Sequence, residues 1–305
     1  MKRVKRFLSI LAVSGLLISM YSCNGCENKS TKEKDLINSD VPINDQLVDD
    51  FNKSKLIFYS LPSPLETATL IKKAGASYDV DLLNDVNNVP KYNTNMKMAL
   101  NLGIYSADMS YTSLFDQMQH TLNYMNASRK IAEKLGVLGA IDENTIKQLE
   151  KNLNDRDIVM EIISETFMNS NAYLTENDRP ALMAMVLVGG WIEGLYIATQ
   201  LAKGSVDHNP LLIDRIVYQK LSLQTVISLL GSYKNNSDIE YIIDLMYELK
   251  DIFNDIKINN SKVEAETIPE QQITIIRSDS ETHITPEVFK MLIEKVKKIR
   301  DEFIS

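Results

Sequence analysis

The chain has 305 residues, 44% of them apolar, and carries 33 basic side chains against 41 acidic ones. A net charge of −8, with no basic stripe interleaved with aromatics, argues against nucleic acid as a partner. The only two cysteines are Cys23 and Cys26, so everything after them lacks both a disulfide framework and the means to build a cysteine metal or redox centre.

The first elements concern address. Lys2, Arg3, Lys5 and Arg6 form a positive cluster, followed by fourteen uncharged, mainly apolar residues from Phe7 to Met20. That run is shorter than the roughly 20 residues a spanning helix needs, and it reads as an export signal over residues 1–22. Met20-Tyr21-Ser22-Cys23 places a small residue directly before a cysteine. This tetrapeptide resembles the lipobox of bacterial lipoproteins, with Met20 and Tyr21 departing from the Leu and small residue usual there. The resemblance implies cleavage before Cys23, lipidation of Cys23 and attachment to a membrane through the lipid. Ordinary cleavage near Ser22, releasing a secreted protein, is the alternative. Asn24 does not resemble an inner-membrane retention signal, which favours the outer membrane.

Four of the 33 basic residues lie in the signal, leaving 29 against 41 acidic ones and a formal charge of −12. Such a body is repelled by anionic head groups, so the lipid must do the anchoring, helped by Lys29, Lys32 and Lys34. Residues 23–45 are rich in Asn, Lys, Ser, Asp and Glu and read as a flexible tether. Residues 46–305 read as one helical domain.

Within that domain, helices are expected at about 46–59, 64–74, 143–153, 156–170, 177–203, 210–230, 238–257 and 286–303. A long periodic segment covers 94–135, with a break near Gly103 or Asp108. Its stripe runs through Leu100, Ile104, Ala107, Tyr111, Leu114, Met118, Leu122 and Met125, spaced three or four apart. Caps punctuate the pattern. Ser63-Pro64-Leu65-Glu66 is a capping box with proline at the first helical position, and Asn209-Pro210 and Thr285-Pro286 repeat the device. Ser237-Asp238-Ile239-Glu240 is a second box, Asp142 and Asp155 are N-caps, and Gly75, Gly136, Gly204 and Gly231 sit at helix ends. Only 272–276 looks extended. The expected fold is all-α, an irregular multi-helix bundle with one short extended segment.

Ala181 to Ile192 is uncharged and is followed by Glu193. A helix apolar all round belongs at the centre of a bundle or in a membrane, and the bundle is the reading favoured here. Gly189, Gly190 and Gly194 cost about 1 kcal/mol each relative to alanine, which points to close packing. Gly103, Ser106 and Ser110 form the natural facing stripe.

The search for chemistry yields few candidates. His120, His208 and His283 belong to no zinc or di-iron pattern, and no phosphate loop, dinucleotide fingerprint or nucleophile elbow is present. No cofactor and no metal is expected. Glu161 and Glu165 are spaced for chelation but read as a solvated face. The acids from Asp79 to Asp85 read as turn and cap residues. Glu193 either emerges into solvent with Tyr196, Gln200 and Lys203, or is a partly buried carboxylate beside Trp191 facing a ligand. Tyr59, Tyr78, Tyr92, Tyr105 and Tyr111 cluster early, with Asp108 between the last two. The ligand-binding candidates are therefore Trp191, Glu193, Tyr105, Asp108 and Tyr111.

The signal, the lipobox and the polar, helix-rich body together resemble helical lipoproteins of Bacteroides-type bacteria. The expected function is a non-enzymatic binding or scaffold module with an envelope protein as partner. A small-ligand or metal-binding pocket near Trp191 and Glu193 is the first alternative, and a hydrolase with a fold-assembled triad the second.

Overall fold

The computed structural model describes residues 63–137, 143–152, 154–176, 179–260, 264–268, 273–277 and 280–305. The signal, Cys23, the tether, the 46–59 helix, Tyr59 and the Asp142 cap lie outside the described residues. Nine α-helices are seen among those described: α1 Pro64–Lys73, α2 Asn95–Leu114, α3 Met118–Leu135, α4 Glu143–Lys151, α5 Arg156–Glu176, α6 Pro180–Leu201, α7 Pro210–Gly231, α8 Ser237–Asn254 and α9 Pro286–Ile304. The protein is mostly helical, and the described residues belong to one compact unit.

The local signals explain most boundaries. Ser63 and Glu66 close a reciprocal capping box, and Asn209 and Thr285 accept from the third residue of helices that open on proline. Asp155 accepts from the Ile158 N–H at 3.2 Å. At α8 the cap is Asn236 rather than Ser237, because its side chain reaches the N–H groups of both Asp238 and Ile239. Gly75, Gly136 and Gly204 are left-handed at helix ends, whereas Gly231 stays inside α7 and Ser232 caps it.

The break in the long periodic segment falls at Phe115–Gln117, not at Gly103 or Asp108. Both of those lie inside α2, where packing against a neighbour accounts for them. The turn is made by Asp116 at φ 59°, while Lys72 donates to the Leu114 carbonyl and lies 3.8 Å from the Asp116 carboxylate. Basic side chains close other helix ends as well: Arg179 reaches the Leu135 carbonyl of α3, and Lys97 reaches Ser305 after α9. Each satisfies carbonyls that a helix terminus leaves without an internal partner.

Two helices form the centre. Every residue of α2 from Met98 to Leu114 is buried, and so is every residue of α6 from Leu182 to Thr199. Their mutual contact is the most extensive in the molecule. By length and composition α6 would suffice to cross a membrane, but 94% of its most apolar window is covered by the other helices. The approach is set by glycine. A Cβ on Gly103 would lie 1.9 Å from the Val186 carbonyl oxygen, and one on Gly189 would lie 2.0 Å from that of Leu100. The facing pair is thus reciprocal, as the small-residue stripe implies. Gly194 instead makes room for Thr67 of α1. Polar side chains on α2 tolerate burial by bonding to their own helix, Ser106 to the Leu102 carbonyl at 2.7 Å and Ser110 to that of Ser106 at 2.8 Å.

The expected extended segment is part of a larger excursion. Strands β1 Lys257–Asn260, β2 Glu264–Ile268, β3 Ile273–Arg277 and β4 Ser280–His283 make two nested antiparallel ladders, β1 with β4 and β2 with β3. Lys257 pairs with His283 and Ile268 with Ile273, so one long hairpin links α8 to α9.

Candidate functional site: a sealed carboxyl–guanidinium cluster

Three helices bring their charged residues to one point. Glu193 from α6 and Asp108 from α2 are 0% exposed, and Arg300 from α9 is 6% exposed. Arg300 Nε donates to Glu193 Oε2 at 3.0 Å and Nη2 to Oε1 at 3.1 Å, a two-pronged pair of the kind guanidinium geometry favours. Its Nη2 also donates to the Leu82 carbonyl at 3.1 Å, and the guanidinium lies 4.7 Å from the centre of the Tyr196 ring. Burial works against its charge, yet Glu193 more than offsets that and holds Arg300 above its usual pKa.

Asp108 is less well served. Its Oδ2 accepts the Asn84 backbone N–H at 3.2 Å, and its Oδ1 meets no donor. Burial first, and then the Glu193 carboxylate, push Asp108 well above the usual carboxylate range. Arg300 and the Asn84 N–H pull only part of the way back.

An amide and phenol network surrounds the cluster. Asn84 Nδ2 donates to the Tyr92 hydroxyl at 3.0 Å and to Asn101 Oδ1 at 3.1 Å, and Asn101 Nδ2 donates to the Phe303 carbonyl at 2.8 Å. The Tyr105 hydroxyl donates to the Asp85 carbonyl at 2.9 Å, and its ring packs between those of Tyr92 and Tyr124. Burial raises the pKa of both Tyr105 and Tyr124. Tyr111 lies further along α2. Its hydroxyl donates to the Ser77 carbonyl and accepts from the Asp79 N–H, and its ring stacks on Tyr78 at 5.3 Å. Burial, before any neighbouring charge, pushes Tyr78 and Tyr111 each to about 12, and the Tyr78 hydroxyl lies 2.8 Å from His120 Nδ1.

Trp191 and Glu193 are not brought into one pocket. Two residues along a helix is about 200° of rotation, so they face opposite ways. Trp191 is 6% exposed, and its indole N–H donates to Gln219 Oε1 of α7 at 2.9 Å. The crevice beside it, lined by Thr67, Leu212 and Arg215, holds about 20 Å³, room for one water. Nor does Glu193 emerge into solvent, because α9 covers that part of α6. The structure therefore joins Glu193 with Asp108 and sets Tyr105 at the edge of their cluster. It leaves Trp191 and Tyr111 elsewhere.

The partner missed in the sequence is Arg300. It stands four residues after Val296 and three before Phe303, on the buried face of α9, and an arginine at that spacing is the signal that marks it. Tyr92 belongs to the early tyrosine cluster, whereas Asn84, Asn101 and Tyr124 have no comparable signature.

Both Glu193 oxygens accept from Arg300. Among the described residues, no group of three or more His, Cys, Asp or Glu side chains is placed to hold a metal. Glu161 and Glu165 are exposed, and Asp79 and Asp85 each cap a short 3-10 turn, Val80–Leu82 and Val86–Lys91. A more open cleft of about 570 Å³ lies at the base of the hairpin, where Asp214 Oδ1 accepts from the Thr282 hydroxyl at 2.5 Å. No protein-family profile, curated protein or solved structure matches this chain.

Proposed function

We propose that the chain is a non-enzymatic binding or scaffold module of the cell envelope, held at a membrane, the outer one by preference, through lipid on Cys23. The observation that carries the non-enzymatic reading is the fate of the acidic groups in the core. Glu193 and Asp108, two acids buried among the helices, face Arg300 and each other, and α9 packs over the cluster. Their chemistry goes into holding three helices together. What remains outside is an acidic surface on a lipid tether, suited to a partner protein with a basic face.

The test is made on the precursor. Cys23→Ser is expected to abolish fatty-acid labelling and to move the protein from the membrane to the soluble fraction; unchanged membrane recovery would sink the anchoring. Cross-linking in cells followed by mild solubilisation is expected to recover a stoichiometric protein partner. A metabolite that saturates the full chain and raises its melting temperature would instead favour a small-ligand protein.

A further inference from the structure

We propose that Asp108 and Glu193 hold one proton between them at neutral pH, and that this proton is the latch by which α9 stays docked. The geometry supplies the argument. Two carboxyls and one guanidinium share a site with essentially no access to water. With both acids ionised the trio would carry a surplus negative charge, and an uncompensated buried charge is among the most unfavourable features a core can hold. One bound proton makes the trio neutral.

Its position follows from the donors. Glu193 already receives two N–H groups from Arg300, one on each oxygen, which leaves Asp108 as the place for the shared proton. Asp108 receives one N–H, on Oδ2, and its Oδ1 stands without a donor. A proton on Oδ1, directed at Glu193, satisfies the orphaned atom and gives the second carboxylate a third donor. The direction in which burial and Glu193 move Asp108 agrees with this placement.

No other group at the site takes over the role. Tyr92 beside the second 3-10 turn, Tyr105 of α2, Tyr124 of α3 and Tyr196 of α6 are all phenols raised first by burial, so they stay neutral. The further charges are Asp85 facing Tyr124, and Lys297 and Asp301 of α9 facing Tyr196. Among the described residues, the cation inside the cluster is Arg300, and Glu193 already occupies it.

Losing the proton sets a bare carboxylate against Glu193. Water can relieve that repulsion if α9 lifts away, since α9 carries the guanidinium and covers the Glu193 side of the pair, while the segment around Asn84 covers the Asp108 side. Asp108 is protonated in the docked form and ionised in the opened or unfolded one. The opening constant therefore rises about tenfold per pH unit, from about pH 4 up to the raised value of the docked form, and levels off above it.

Asp108→Asn keeps the donor toward Glu193 and removes the titration. Hydrogen exchange of the α9 amides in the full chain, wild type against D108N at matched pH between about 5 and 9, reads the latch directly. The expected result is a wild-type-to-variant ratio of opening that climbs with pH; a ratio constant across that range overturns the proposal. An infrared carbonyl band from a protonated carboxyl is expected in wild type at neutral pH. Its absence overturns the proposal even if D108N does not fold.

Discussion

Arg300 and Glu193 are worth more to each other than either is to the fold alone. Removing one partner leaves the other buried and unpaired, which costs about 3–5 kcal/mol. Arg300→Ala is expected to lower stability by that amount in denaturant titration of the full chain, whereas replacing both residues together by apolar ones of similar volume is expected to cost far less. A large loss in the double variant would argue that the ion pair carries stability in its own right. A second residue-scale expectation concerns Lys203, which sits at φ 52° directly before Gly204. Side chains pay for the left-handed region, so Lys203→Gly is expected to gain about 1 kcal/mol. The candidate residues were legible only by type. Glu193 and Asp108 stand out as acids in apolar helices, but Arg300 is 107 positions from Glu193, and no local spacing connects them. Trp191 points to the wrong side of α6 for Glu193, because residues two apart are near-opposed on a helix.

Caps and stops are short-range, and so they were readable. Ser63, Asn209, Thr285 and Asp155 all act where their neighbours in sequence require. The turn between α2 and α3 was misplaced for an equally physical reason. Leu114 and Met118 are four apart, so the apolar stripe continues in register across a three-residue break and conceals it. The hairpin reads mostly as connection because Lys257-Ile-Asn-Asn and Ser280-Glu-Thr-His have loop composition, and their pairing joins residues 20 to 26 positions apart. The crossing of α2 and α6 gives the sharpest expectation at this level. Gly103→Ala or Gly189→Ala drives a methyl group into a backbone carbonyl that cannot rotate aside. Each is expected to cost about 3 kcal/mol, the upper part of the usual overpacking range, measurable as a lowered melting temperature. Gly194→Ala first meets the Thr67 side chain, whose methyl end can give way, and is expected to be milder.

Across the whole molecule, α9 follows the hairpin and packs along its length, through Phe289, Leu292, Val296, Ile299 and Phe303. Arg300 enters the cluster, Asn101 and Lys97 take the Phe303 and Ser305 carbonyls, and Lys295 pairs with Glu248 of α8 at 2.5 Å. Besides burying that apolar face, α9 covers the charged cluster. A piece ending before Lys257 is expected to keep a cleft with the Glu193 carboxylate at its base, and a synthetic peptide spanning Pro286–Ser305 carries the matching guanidinium. The two are expected to reassociate when mixed, with intrinsic Trp191 emission or calorimetry as the readout, and the Arg300→Ala peptide is expected to fail. Such complementation would turn one buried pair into the recognition element of a split reporter.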